Sequence, residues 1–210
     1  MKPLQTGEVL PGIYAVPNGQ VNFYLVKAGQ GYIAFDAGTS EQASLAELGK
    51  LNAKPEDVAA VFLTHTDGDH VGAIGLFQQA KVYISKQEEQ MINGSTRRMI
   101  FMRNKLPRPY ETLDDSQTVE ENGLSVRCIS TPGHTPGSAC YLVGGKYLFS
   151  GDTFGLKDGR ARLFTAIFNM DADEERRSIK KLSGLQGVEA AFTGHHGWTA
   201  DFAAAFAGWA

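Results

Sequence analysis

Cysteine is almost missing. Cys128 and Cys140 are the only two in 210 residues, and they form no CxxC pair. A disulfide-stapled fold and a Cys-rich structural zinc site are thereby excluded. Neither cysteine lies in a histidine-rich run, so both are expected as small buried strand residues. Long apolar runs are also missing: none approaches the roughly 20 residues that span a bilayer, so no membrane partner is expected. The N-terminal "MKPLQTGEVLPG" has no apolar signal core, from which a cytoplasmic location is expected. Positive charge is not in excess, with 20 Lys and Arg against 23 Asp and Glu and a net charge of −3. That argues against nucleic acid as the partner. Low-complexity tracts and linkers are missing too, which points to a single domain over residues 1–210. The remainder, 42% hydrophobic and 20% charged, is an ordinary soluble composition able to bury a core.

Strands and helices alternate in what is present. "EVLPGIYAVP", "QVNFYLVKAG" and "GYIAFDAG" are β-branched and aromatic stretches punctuated by Gly and Pro. "SEQASLAELGKL" reads as a helix capped by Ser40 with Leu45, Leu48 and Leu51 inward. "VAAVFLTH" is an apolar strand buried on both faces, "VGAIGLFQQ" a short helix and "KVYIS" a strand. Further strands are expected at "LSVRCIS", "ACYLVGG", "KYLFSGD" and "VEAAFTG". Helices are expected at "DADEERRSIKKLSGL", acids first as the dipole favours, and at "TADFAAAFAGWA". Residues 86–118 break the rhythm as helix, break, helix and Pro-rich turn. There Arg97, Arg98, Arg103, Lys105 and Arg108 alternate with Met99, Ile100, Phe101 and Met102.

The five histidines sit in three places: His65 and His70 in "FLTHTDGDHVG", His134 in "TPGHTPGS", and His195 with His196 in "TGHHG". Each place follows an expected strand at a Gly-rich turn, as does Asp152 in "SGDT". In α/β sheets such loops beyond strand ends gather functional groups. Histidine and carboxylate together suit Zn, Fe or Mn.

These motifs resemble the metallo-β-lactamase-fold superfamily, whose pattern HxHxDH … His … Asp … His appears here as "HTDGDH", His134, Asp152 and His195. The "TPGHTPGS" setting is similar to that of glyoxalase II-like members. The resemblance runs from Asp36 in "FDAG" to "TGHHG". It implies an α/β fold, a four-layer αββα sandwich of two mixed sheets flanked by helices. It further implies two divalent metal ions, zinc first. His65, Asp67 and His134 are then expected at one ion, Asp69, His70 and His195 at the other, with Asp152 bridging and Asp36 ordering the loop. Asp69 and Asp152 are the expected catalytic carboxylates. His195 is preferred to His196 as the last ligand because it directly follows the Thr-Gly of the strand end.

Asp67 departs from the pattern, where a histidine is usual. A third carboxylate brings the charge of the two-ion site from about +1 toward zero and shifts preference toward Fe or Mn. Two activities follow as expectations. One is a binuclear hydrolase in which a metal-bound hydroxide attacks a small anionic ester, thioester, lactone or phosphoester. The other is a di-iron redox enzyme, reducing oxygen or nitric oxide or resembling a persulfide dioxygenase, which needs a redox partner. The sequence ends soon after the last ligand, so the helical domain with which glyoxalase II grips glutathione is not expected. Residues 86–118 are expected as a basic helical insertion over the site, with Arg97, Arg98, Arg103 and His196 touching the substrate. A homodimer stays open.

Overall fold

The computed structural model describes residues 3–98 and 103–209. One sheet holds β1 (Gly7–Leu10), β2 (Ile13–Asn18), β3 (Val21–Ala28), β4 (Gly31–Phe35), β5 (Val58–Phe62), β6 (Lys81–Ser85) and β7 (Glu111–Leu113), in that order. Its first four strands are antiparallel neighbours, whereas β4 to β7 are parallel. The chain continues through β8 (Thr118–Glu121), β9 (Leu124–Ser130), β10 (Ala139–Val143), β11 (Tyr147–Phe149), a hairpin of β12 (Gly155–Lys157) and β13 (Arg160–Arg162), then β14 (Ala190–Phe192) and β15 (Trp198–Thr199). The second sheet has the order β15-β14-β11-β10-β9-β8, and only β11 and β14 in it are parallel. Five helices accompany the sheets among the described residues: α1 (Glu41–Lys50), α2 (Gly68–Val71), α3 (Glu89–Asn93), α4 (Ala172–Ser183) and α5 (Phe202–Phe206).

Side-chain alternation assembles four layers. Along β3, Tyr24 and Val26 point between the sheets while Phe23 and Leu25 point to the helices. Between the sheets, the Phe35 and Phe149 rings stack 4.0 Å apart, with Phe62, Tyr141 and Phe192 around them. Outside the first sheet, Leu48, Val71 and Ile74 cover Leu25 and Val61. Outside the second, Ile179, Leu182 and Phe206 cover Cys140 and Leu148. Both sheets are therefore buried on both faces, as their near-continuous apolar runs require. Two tyrosines tie the sheets together by donating across the core, Tyr24 to the Thr193 carbonyl and Tyr141 to the Leu63 carbonyl. Both cysteines are free and buried on β9 and β10. Among the described residues no helix is long and apolar enough to cross a membrane.

Local differences from the sequence expectation have physical causes. In α1, Leu45 is 50% exposed, and the buried face runs through Ser44 and Leu48 instead. Ser44 passes as a core residue because its hydroxyl bonds the Ala37 carbonyl. Ser40 stands at the cap position without a side-chain cap bond; its carbonyl accepts from Asn18. The helix expected at residues 71–79 starts earlier, inside the histidine motif, and breaks after one turn. Gly72 lies so close to Thr39 that a Cβ there would meet its carbonyl oxygen at 2.0 Å. In α4, the Asp171 carboxylate caps the Asp173 and Glu174 amides, a sound N-cap that the acid-first pattern foreshadows. Residues 86–118 include α3 and also β7, which pairs with β6. The second helix expected there falls partly on residues 99–102, outside the described residues. Arg97, Arg98 and Arg103 beside them lie in no helix.

Candidate metal centre

Every candidate donor reaches one edge of the sandwich from the loop after a strand. His65, Asp67, Asp69 and His70 follow β5, His134 follows β9, Asp152 follows β11 and His195 follows β14. Three overlapping groups have all their donor atoms within 4.8 Å of one another: His65, Asp67 and His134; His65, His70 and Asp152; Asp69, His70 and His195. The two ends thus share the middle group. Gly194 makes this closeness sterically possible, since a Cβ at that position would stand 2.6 Å from Asp152 Oδ1.

Four imidazoles share one construction. Each has its Nδ1 held from outside. His70 Nδ1 donates to Asp36 Oδ2 at 2.8 Å, and His195 Nδ1 to the Gln20 carbonyl at 2.7 Å. His65 Nδ1 lies 3.1 Å from the Thr64 hydroxyl, which itself donates to Asp36. His134 Nδ1 lies 3.2 Å from Asn169 Oδ1, and the Asn169 amide nitrogen donates to Glu175 at 2.5 Å. With Nδ1 so occupied, each ring turns Nε2 inward, the arrangement that orients metal-ligating histidines. Asp36, with φ of 64°, also accepts from the Thr64 amide and so orders the loop as expected.

The inward atoms suit a cation. Among the described residues, His65 Nε2, His70 Nε2 and Asp152 Oδ1 are buried without a hydrogen-bond partner, which is costly for polar atoms unless an ion or water meets them. Asp152 Oδ2 lies 3.6 Å from His70 Nε2, 3.6 Å from His134 Nε2 and 3.3 Å from His195 Nε2. Burial, with His70 and His134 nearby, holds the His65 pKa well below the ordinary histidine value, so its Nε2 carries a lone pair. For Asp152, burial is outweighed by His70 and His195, and its carboxyl is pushed well below the usual range. Burial would raise Asp69, but the bond from His195 and the charge of His70 overcome it and lower the carboxyl to about 2. Burial opposes protonation of His195, but bonds to Asp152 and Asp69 raise it to about 9. A metal ion and that proton compete for the same nitrogen.

The rim is less uniform. A cleft of about 740 Å³ opens over the donors, walled by Phe164, Ile167, Phe168 and Met170 on one side and Arg98, Asn104 and Gln20 on others. Ile167 is 85% and Phe168 46% exposed. Of the four residues expected to touch the substrate, Arg98 lines this cleft and Arg97, Arg103 and His196 do not. Arg98 bonds Asp67 Oδ2 at 2.5 Å. Arg97 reaches back to the Gly94 carbonyl, Arg103 to the Ile92 carbonyl, and Arg108 to the carbonyls of Phe77 and Gln78. Backbone acceptors of their own segment and its neighbour therefore take these cations. His196 packs behind Phe164, 5.5 Å ring to ring, while His195 faces the donors. Four further residues, Asn104, Asn169, Glu175 and Glu88, carry no cue in the sequence. Glu88 is fully buried, and its carboxylate accepts from Thr66 and Thr135, joining the loops that carry His65 and His134.

A family model described as the metallo-beta-lactamase superfamily matches residues 16–195, which includes every donor named here. The chain belongs to the metallo-beta-lactamase superfamily. Among curated members, a Bacillus velezensis protein named "Probable polyketide biosynthesis zinc-dependent hydrolase" is 36% identical over 107 residues, 50% of this chain and 42% of that protein. A Bacillus subtilis protein of the same description is 35% identical over 100 residues, 46% of this chain and 39% of that protein. The matched stretch thus spans less than half the length of either relative. A metallo-beta-lactamase family protein from Thermus thermophilus superposes with a TM-score of 0.73 at 23% identity, over 96% of this chain and 79% of that one, which shows the shared superfamily fold.

Proposed function

We propose that this chain is a metal-dependent hydrolase with two adjacent cation positions, zinc being the ion its donors suit first. His65, Asp67 and His134 would hold the first position and Asp69, His70 and His195 the second, with Asp152 between them. The observation that carries this is the ring of four imidazoles, each fixed at Nδ1 and turned inward onto carboxylates and partnerless buried nitrogens. Curated relatives named as zinc-dependent hydrolases support the metal and the reaction class. When bound, the ions supply Lewis acidity toward a carbonyl or phosphoryl oxygen and acidify coordinated water. The chain's own residues do the positioning. Asp69 is half exposed at the cleft floor, 3.2 Å from His195 Nε2, and is placed to orient a water and accept its proton. Asp152 is buried below and holds the imidazoles by charge.

The cleft favours an ester, thioester or lactone with an apolar acyl or aromatic part. Phe164, Ile167, Phe168 and Met170 offer that part a wall, and the Arg98 guanidinium is already paired with Asp67. The "TPGHTPGS" loop, similar to glyoxalase II-like members, agrees with a thioester. The iron redox alternative rests on the extra carboxylate of Asp67; the Arg98 pairing offsets that charge and removes its main support. Chelator-stripped and zinc-restored protein, assayed on esters, thioesters, lactones, phosphodiesters and β-lactams, tests the proposal. Zinc-dependent turnover of an acyl substrate is expected. Turnover untouched by chelation, or none on any of these, overturns it.

A further inference from the structure

The aspartate at position 67 has a guanidinium partner that a carboxylate holds better than an imidazole would. His134 has its Nδ1 3.2 Å from Asn169 Oδ1 and its Nε2 3.2 Å from Asp67 Oδ2, so the two donor atoms of the first position stand side by side. Arg98 reaches both: its Nη2 donates to Asp67 Oδ2 at 2.5 Å and to the His134 carbonyl at 3.3 Å, and it lies 3.2 Å from His134 Nε2. Asn104 donates to the other oxygen, Asp67 Oδ1, at 3.0 Å and fixes the carboxylate's plane. The guanidinium also donates to the Phe168 carbonyl across the cleft. Among the described residues that line the cleft, no second Lys or Arg stands at the other position.

We propose that Arg98 is a resident cation of the first position: while its guanidinium sits between Asp67 and His134, it takes the donor atoms a metal ion would need there. The chain then holds one ion tightly, at Asp69, His70 and His195, and admits a second only when Arg98 withdraws. This deepens the metal-centre proposal for the same cleft and rests on it. Aspartate at 67 follows directly, since a carboxylate binds either a guanidinium or a metal ion, whereas a neutral imidazole binds a guanidinium poorly.

The test is zinc titration of the chelator-stripped full chain, wild type against Arg98→Ala and Arg98→Gln. Heat of binding gives the affinities, and elemental analysis after desalting gives the ions retained. Circular dichroism checks folding, and Gln keeps a planar polar group should Ala disturb the loop. Wild type is expected to retain one zinc per chain and to bind a second at least tenfold more weakly. Either variant is expected to retain two, with the weaker affinity gaining tenfold or more. Wild type retaining two, or folded variants retaining no more than wild type, overturns the role of Arg98 and leaves the metal centre standing. No zinc retained by any of the three overturns the metal centre itself.

Discussion

The two ends of the donor cluster are built from the same kinds of side chain and differ in their counter-ions. At Asp69, His70 and His195, carboxylates face imidazoles, and the positive charge these carboxylates favour is a proton on a ring nitrogen. At His65, Asp67 and His134 it is the guanidinium of Arg98. Protons yield to a metal ion; a guanidinium must be moved bodily. On the Arg98 proposal, ligand identity alone would not set occupancy, because an arginine from a neighbouring loop stands against two of the donors of one position.

The largest expected effect comes from the residue shared by both ends. Asp152→Ala removes the carboxylate faced by His70, His134 and His195 and should release metal from both positions. Its loss of turnover should exceed the roughly 100-fold that removing an outer partner costs. Next are the outer partners, which separate the two ends. Asp36→Ala frees His70 directly and His65 through Thr64, so metal affinity should fall roughly 10- to 100-fold at both positions. Of the candidate donors, Asn169 bonds His134 alone, so Asn169→Ala should leave the tightly held ion in place while weakening the other. Competition with a chromophoric chelator resolves the two affinities.

The last effect concerns stability rather than the centre. Burial raises the Glu88 carboxyl from 4.5 to about 7, against the bonds from Thr66 and Thr135. A raised acid stabilises the fold fully below its unfolded pKa, and that contribution is lost as pH climbs through the folded value. Between about pH 4.5 and 7 the wild type should therefore lose on the order of 3 kcal/mol relative to Glu88→Gln. Urea unfolding of both proteins at pH 5 and pH 7.5 measures the difference; a gap that does not change with pH would show that Glu88 is not held protonated.

Much of the centre was legible because metal chemistry restricts residue type and because strands deliver loops to one edge. The spacing in "HTDGDH", the Thr-Gly before His195 and the turn at Asp152 each carried that restriction in the chain itself. Asp36 was legible only through the family resemblance, which implies a residue there that orders the loop. Arg98 was only half legible. Its charge and loop position suggested a substrate contact, but the carboxylate it binds is 31 residues away, and nothing local encodes that pairing. The same holds for Asn169 and Glu175, which act through His134. Short strands such as β7, β12, β13 and β15 escaped because two or three residues carry too little alternation to be seen.

The most direct measurement is anomalous diffraction at the zinc edge from crystals of the zinc-loaded chain. One strong peak is expected among Asp69, His70, Asp152 and His195, with Arg98 still against Asp67 and weak density or none at the first position. Two equal peaks would contradict the inequality of the two ends, and no peak among these residues would contradict the metal centre altogether.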